Sequence, residues 1–298
     1  MDAPLVEITF ELGELDADAA YAACVACGAL AVTFSDAGDT PVLEPLPGEF
    51  VLWDATCVRA LFGSASAAEF AGIVRALSAT LARPAQELRA QAVPEKPWER
   101  EWLKDFHARR FGERLWICPR HETIADAAAR VVYLDPGMAF GTGNHATTAL
   151  CLEWLDAHVA GGERAIDYGC GSGILALAAL RLGAAHAFCF DIDPQALIAT
   201  ADNAEVNGIA SQVHVCTSTT DLPPASDLLV ANILASPLCA LAGEFARLVR
   251  PGGQLLLAGL LEDESHEVTQ ANSACFHMRP CGKRAGWVAL SGRRREHC

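Results

Sequence analysis

The sequence lacks the features that mark membrane-spanning and secreted proteins. No apolar run approaches the roughly 18 residues that a transmembrane helix needs. The amino terminus, Met1-Asp-Ala-Pro4, carries neither the basic nor the apolar block of a signal peptide. No internal repeat is present. We therefore expect a cytoplasmic protein that does not associate with a membrane.

Lysine is absent from the first 93 residues, which carry 13 acidic residues against 4 arginines and so a net charge of −9. Residues 94–130 carry +1, and residues 131–298 carry −7 of the total of −15. An acidic surface repels a phosphate backbone, so direct nucleic-acid binding is disfavoured and a basic protein partner is favoured. The alternative is that the acidic surface only aids solubility.

Cysteine, by contrast, is frequent, with twelve residues scattered along the chain. Most stand in apolar segments, which predicts reduced, buried thiols that pack in the core rather than a disulfide framework. Cys24 and Cys27 form a C-x-x-C pair inside a helical pattern, with no second cysteine or histidine pair nearby. A metal site or redox chemistry is therefore not expected there.

The first 93 residues predict a small α+β domain. The predicted elements are the strands Val6–Phe10, Ala31–Phe34, Thr56–Leu61 and Gln86–Val93 and the helices Asp16–Ala29 and Ser66–Leu81. The order βαββαβ is that of a ferredoxin-like fold. Pro94–Pro97 then interrupts the chain.

Residues 94–130 predict a linker helix and connector. A charged helix over Trp98–Phe111 places three aromatic residues on one stripe, and a strand over Leu115–Cys118 precedes an irregular stretch to about Arg130. Residues 131–298 are expected to form a second, larger domain. A chain of 298 residues with 52% apolar residues can bury the cores of two domains.

The second domain predicts a mostly parallel α/β sheet of Rossmann-like type. The predicted strands are Ala165–Asp167, His186–Asp191, Val213–Cys216, Asp227–Asn232 and Gln254–Ala258, and the helices are Thr148–Asp156, Ile174–Leu182, Pro194–Asn207 and Pro237–Val249. Alternating strands and helices of this kind form a parallel sheet covered on both faces. A closing hairpin, Phe276–Arg279 and Gly286–Ser291 joined by Cys281–Ala285, completes seven strands.

A glycine-rich turn, Asp167–Gly173, lies between the first of these strands and its helix. Glycines allow a ligand to approach the backbone, and the amino end of the helix presents free N–H groups. Asp191 ends the next strand, where its carboxylate can hold ribose hydroxyls. The combination predicts a nucleoside-binding site.

The glycine spacing distinguishes between cofactors. Dinucleotide-binding turns read G-x-G-x-x-G, whereas Gly169, Gly171 and Gly173 read G-x-G-x-G. This variant resembles the first motif of S-adenosylmethionine (AdoMet) methyltransferases, and AdoMet has no pyrophosphate to bind. The alternatives are an NAD-dependent oxidoreductase, which needs its third glycine one position later, or a turn that only packs well.

Asn232 ends the fourth strand of the parallel sheet, so it should meet Gly169 and Asp191 in one crevice. A neutral amide can orient the hydrogens of an incoming amine without favouring the unreactive ammonium. This predicts methyl transfer to nitrogen, with Asn232 as the catalytic residue. The alternative is that Asn232 only terminates a strand.

A second glycine-rich loop, Leu134–Thr148, precedes this region and contains Ala139-Phe-Gly-Thr-Gly-Asn-His-Ala-Thr-Thr148. Together with Asp167–Gly173, Phe190–Pro194, Asn203 with Asn207, and Asn232–Leu234, it resembles the bacterial PrmA methyltransferase family. That family modifies large-subunit ribosomal protein eleven at lysine side chains and at an N-terminal amine. The similarity covers essentially the whole chain.

The resemblance implies a role for each matching residue. Phe140, Thr148, Gly169, Gly171, Asp191 and Asn232 would contact AdoMet, and the front domain would bind the basic ribosomal protein. For His145 a loop-shaping role is favoured over catalysis as a base, because an amine can lose its proton to solvent before transfer. Two alternatives remain, a protein-lysine methyltransferase with another target and a non-catalytic ribosome-associated module that binds AdoMet.

Overall fold

The computed structural model describes residues 5–38, 52–63, 67–93, 107–134 and 145–297. The chain divides into two compact units, Met1–Trp98 and Glu99–Cys298. Among the described residues, no helix is long and apolar enough to cross a membrane.

The first unit has the predicted βαββαβ order. Its elements are β1 (Leu5–Glu11), α1 (Ala17–Ala26), β2 (Ala31–Asp36), β3 (Thr56–Gly63), α2 (Ala67–Thr80) and β4 (Arg89–Val93). The strands form an antiparallel sheet in the order β2-β3-β1-β4. Alternate residues of β1, namely Val6, Ile8 and Phe10, are buried because successive side chains point to opposite faces. The ferredoxin-like topology is thereby confirmed.

The second unit begins with a small sheet, of which the sequence patterns predicted only the strand Leu115–Cys118. Strand β5 (Arg109–Phe111) pairs antiparallel with β6 (Leu115–Cys118), which pairs parallel with β7 (Arg130–Tyr133). The predicted helix over Trp98–Phe111 is therefore wrong at its carboxyl end, and its residues 98–106 lie outside the described part of the chain.

The main sheet of the second unit has seven strands, as predicted. The elements are α3 (Ala146–His158), β8 (Arg164–Tyr168), α4 (Ile174–Leu182), β9 (His186–Phe190), α5 (Pro194–Val206), β10 (Val213–Cys216), β11 (Ser226–Asn232), α6 (Ala235–Ala240), α7 (Ala242–Leu248), β12 (Val249–Leu261), α8 (Ser265–Asn272), β13 (Phe276–Arg284) and β14 (Trp287–Arg294). The order is β10-β9-β8-β11-β12-β14-β13, and β14 runs antiparallel to both of its neighbours. The mostly parallel methyltransferase sheet is confirmed.

Two local predictions in this unit are wrong. The helix predicted over Pro237–Val249 is split into α6 and α7 at Leu241, and Val249 already belongs to β12. The closing hairpin turns at Ala285 and Gly286, both with positive φ, whereas the predicted turn residues up to Arg284 continue β13.

Asp156, near the end of α3, anchors the small sheet to that helix. Its buried carboxylate accepts the backbone N–H groups of Glu113 at 2.6 Å, Arg114 at 3.2 Å and Leu115 at 3.1 Å. Gly112 precedes them with a φ of 72°, and a Cβ on Gly112 would collide with the Asp156 carboxylate. One carboxylate therefore accepts three backbone N–H groups in and directly after the turn between β5 and β6.

We predict that Asp156→Ala lowers the free energy of unfolding by about 3 kcal/mol, because three backbone N–H groups lose a charged acceptor. Urea unfolding measures this loss. Asp202→Ala, at an exposed position of α5, is the matched control and should change the free energy by less than about 0.5 kcal/mol. Equal effects of the two substitutions would contradict the anchoring role.

Candidate active site

The glycine-rich turn between β8 and α4 requires glycine for conformational and steric reasons. Gly169, Gly171 and Gly173 have φ values of 79°, 54° and 77°, which side chains with a Cβ rarely adopt. A Cβ on Gly169 would collide with Ile233, and one on Gly173 would lie 2.8 Å from Thr200. The Thr200 hydroxyl donates to the carbonyl oxygen of Gly171 at 3.0 Å. The turn is thus held tightly against its neighbours.

Two asparagines that belong to the family resemblance, Asn203 in α5 and Asn207 directly after it, bind backbone groups. Asn203 donates its side-chain amide to the carbonyl oxygen of Ser172 at 2.9 Å. Asn207 accepts the N–H of Tyr133 at 2.8 Å and donates to the Tyr133 carbonyl oxygen at 2.7 Å. Asn203 therefore shapes the glycine turn, and Asn207 extends hydrogen bonding to strand β7.

Asp191 follows β9 and lies beside the glycine turn. Its carboxylate accepts the N–H of Gly171 at 2.9 Å and the N–H of Asp193 at 3.0 Å. A carboxylate has about four lone-pair positions, so two further donors can still bind. Asp191 is partly exposed, and it can therefore accept two ribose hydroxyls as the sequence predicts.

Asp167 is a second carboxylate at this turn, to which the motif gave no separate role. It is almost fully buried, and its Oδ2 accepts the N–H of Ala176 at 3.0 Å. Its Oδ1 is buried with no hydrogen-bond partner among the described residues. Burial, together with the charge of Asp191, raises the pKa of Asp167 to about 7. The signal in the sequence is an acidic residue inside an otherwise apolar strand.

Thr148 and Asn232 meet although 84 residues separate them. The Asn232 side-chain amide donates to the Thr148 hydroxyl at 3.4 Å. Thr148 lies in the first turn of α3 and is 1% exposed, whereas Asn232 ends β11 and is partly exposed. The hydrogen bond orients the Asn232 amide and leaves its Oδ1 as an acceptor.

His145 caps the amino terminus of α3. Its Nδ1 lies 2.8 Å from the Thr147 hydroxyl and accepts the Thr147 N–H at 3.4 Å. The ring stands edge-on to Trp287, with centroids 5.0 Å apart and planes at 69°. These contacts favour the loop-shaping role. Phe140 and the rest of the glycine-rich loop from 135 to 144 lie outside the described residues.

Two exposed apolar side chains flank the predicted site residues. Ile192, directly after Asp191, is 91% exposed, and Leu234, two residues after Asn232, is 53% exposed. A ligand ring packed against them would remove apolar surface from water. They are candidates to contact an apolar ring of the ligand. Sequence reasoning missed both, although each follows a strand end.

Most of the described cysteines are free thiols, as the sequence predicts, and six of them are buried. Ten described cysteines are free thiols, and Cys275, which is disulfide-bonded, is the exception. Burial raises the pKa of Cys24 to about 11, which makes its thiol a poor nucleophile. Within the described ranges no group of three or more potential ligands could hold a metal ion.

The chain is similar to known proteins along nearly its whole length. Residues 4–295 match the family described as ribosomal protein L11 methyltransferase (PrmA). The ribosomal protein L11 methyltransferase of Actinobacillus succinogenes is 46% identical over 270 residues, which are 89% of this chain and 91% of that protein. That of Sodalis glossinidius is 44% identical over 299 residues, covering 98% and 100%. The crystal structure of a ribosomal protein L11 methylase from Lactobacillus delbrueckii subsp. bulgaricus matches with a TM-score of 0.59 at 30% identity, covering 64% of this chain and 100% of that one.

For the protein without ligand, we predict that Asp167→Asn becomes increasingly stabilising as the pH rises from about 4 to 7. The carboxyl group ionises near pH 3.9 in the unfolded chain but near 7 in the fold. Between these values the folded state holds one more proton, so the stability of the parent protein falls as the pH rises. The asparagine variant does not ionise and avoids a loss of at most about 4 kcal/mol.

Urea unfolding at pH 4, 5, 6, 7 and 8 measures this difference, and Asp202→Asn, at the exposed position of α5, is the control. A difference between parent and Asp167→Asn that stays constant over this range would show that Asp167 is ionised throughout in the fold.

Proposed function

This chain belongs to the ribosomal protein L11 methyltransferase (PrmA) family, and from that membership we propose that it methylates lysine side chains and the N-terminal amine of ribosomal protein L11 in the cytoplasm. It is an AdoMet-dependent protein methyltransferase. The observation that carries the proposal for its active site is the meeting of the Gly169–Gly173 turn, Asp191 and the Thr148–Asn232 pair at the carboxyl ends of β8, β9 and β11.

The residues at this edge fit AdoMet. AdoMet is a cation at its sulfonium and ammonium groups, and two carboxylates, Asp167 and Asp191, lie at the turn. The buried Oδ1 of Asp167 lacks a partner among the described residues, and an ammonium group would supply one. In this proposal Asp191 binds the ribose hydroxyls, Ile192 and Leu234 contact the adenine, and Phe140 and Thr148 complete the site.

When bound, AdoMet would supply a methyl carbon on its sulfonium for in-line attack by an amine, and S-adenosylhomocysteine would leave as the C–S bond breaks. The protein's own contribution is to orient that amine. Because Asn232 donates its Nδ2 to Thr148, its Oδ1 is left to accept an N–H of the amine and so to aim the lone pair. A neutral acceptor adds no negative charge that would hold the amine as ammonium.

The amine must lose a proton before it reacts. A lysine amine has a pKa of about 10.4, so it can release the proton to solvent before transfer. His145 is occupied as the cap of α3, and we assign it a structural role. In this mechanism the histidine shapes the loop and does not act as the base.

We predict that the purified protein transfers label from methyl-labelled AdoMet to purified ribosomal protein L11 and that mass spectrometry locates the label on lysine and N-terminal amines. Other purified large-subunit proteins are the substrate controls. Labelling of another protein with none on L11 would support a methyltransferase with a different target. Calorimetric binding of AdoMet with no transfer to any ribosomal protein would support the non-catalytic module instead.

We predict that Asn232→Ala lowers the single-turnover methylation rate by roughly a hundredfold, because a positioning contact is lost. The AdoMet dissociation constant should change much less.

For Asp191→Ala we predict an effect on AdoMet affinity. Loss of charge-assisted hydrogen bonds to the ribose should weaken AdoMet binding by about 1.5–3 kcal/mol, or roughly 10- to 150-fold.

Circular dichroism checks that both variants keep the fold. Near-normal turnover of Asn232→Ala with unchanged affinity would reduce Asn232 to a strand terminator.

A further inference from the structure

Helix α1 in the first unit is apolar on two opposite faces. Its inner face, Ala20, Ala23 and Cys24, is buried in the core of the unit. A surface helix normally carries polar residues on its other side, and a helix that is apolar all round is normally covered on all sides. The sequence of α1, ADAAYAACVA, contains a single charged residue, Asp18.

The outer face of α1, defined here as Tyr21, Ala22 and Val25, is exposed. Tyr21 is 50% and Val25 47% exposed, and Ala22 is exposed as well. The spacing of i, i+1 and i+4 places the three side chains on one side of the helix. Leu30, which follows the helix, is 66% exposed. Three of the large apolar side chains that are exposed in the described chain thus lie within ten residues.

The charge beside this face is negative. Glu14, Asp16 and Asp18 are all exposed around the amino end of α1. No lysine occurs in residues 1–93. The Arg83 guanidinium donates hydrogen bonds to the carbonyl oxygens of Glu11 and Leu12. A partner that covers the outer face of α1 therefore lies next to carboxylates at the edge of that face.

This charge selects between possible occupants. A second copy packed face to face about a two-fold axis presents the same surface patch from both subunits, so its carboxylates add like charge to the interface, and like charges across an interface are unfavourable. A basic protein with apolar side chains between its lysines or arginines satisfies both the apolar face and the acidic edge. A basic ribosomal protein, which the family resemblance implies as the substrate, is such a partner.

We propose that the outer face of α1 is a docking surface for ribosomal protein L11, whose apolar side chains cover Tyr21 and Val25 while its basic side chains approach Glu14 and Asp18. This inference rests on the proposed function and names the surface through which the first unit binds the substrate. A patch of a few apolar anchors is of the size of a transient interface, which suits an enzyme that must release its product.

The test is the double variant Tyr21→Ser with Val25→Ser, made in the full chain. Both side chains are half exposed, so the fold should be retained. The KM for ribosomal protein L11 should rise about tenfold or more, because two anchors of the contact are removed. The kcat at saturating L11 and the AdoMet dissociation constant should stay unchanged, since neither residue belongs to the active site.

The matched control is Ile198→Ser with Val206→Ser, which removes two exposed apolar side chains from α5 in the second unit. It should leave the KM for L11 unchanged. A second pair, Glu14→Gln with Asp18→Asn, keeps the apolar face but removes charge. It should raise the KM at low salt and flatten the dependence of KM on ionic strength.

The results separate the docking proposal from the proposed function. If the parent enzyme methylates L11 and the Tyr21/Val25 variant has the same KM, the docking surface is refuted while the function stands. Absence of L11 methylation by the parent enzyme refutes the function itself. A dimer in sedimentation analysis that is lost in the Tyr21/Val25 variant, without a change in KM, would assign the surface to a second copy and overturn the proposal.

Discussion

The hydrogen bond from the Gly171 N–H to the Asp191 carboxylate is the contact around which the active site is arranged. It joins the turn after β8 to the end of β9, two strands that are neighbours in the sheet. The contact is possible because glycine adopts the positive φ that aims the N–H at the carboxylate. The same carboxylate keeps lone pairs for a ligand, so one residue shapes the candidate site and can also bind a ligand in it.

Electrostatics explain why this edge suits a cationic ligand. Asp167 and Asp191 lie close enough for the charge of Asp191 to help raise the pKa of the buried Asp167 carboxyl. In the absence of ligand, the folded protein therefore favours the protonated form of Asp167 more strongly than the unfolded chain does. A cationic ligand reverses the balance, since it favours the ionised carboxylate. Binding of AdoMet and ionisation of Asp167 are therefore expected to be coupled.

The sequence predicted some elements well and others poorly for identifiable reasons. Ile174–Leu182 agrees residue for residue, because an apolar run bounded by glycines marks a buried helix clearly. Val213–Cys216 also agrees, although this strand lies at the edge of the sheet and only Cys216 is buried. Arg109–Phe111 reads as the end of a charged helix but forms a strand, because it pairs with β6 and because Asp156 holds the following turn. The Asp156 contacts join residues more than 40 positions apart and leave no local pattern.

By itself the sequence determined the element order of the first unit and of the main sheet of the second, the glycine-rich turn and the carboxylate at the end of β9, because glycine spacing, apolar periodicity and charge are local properties of the chain. Only the tertiary structure decided that Thr148 orients Asn232, that His145 caps a helix, and that one buried oxygen of Asp167 has no partner within the described part of the chain. These features depend on distances between segments far apart in sequence. The exposure of Tyr21 and Val25 likewise depends on which face of α1 packs against the sheet, and packing is decided by the fold as a whole.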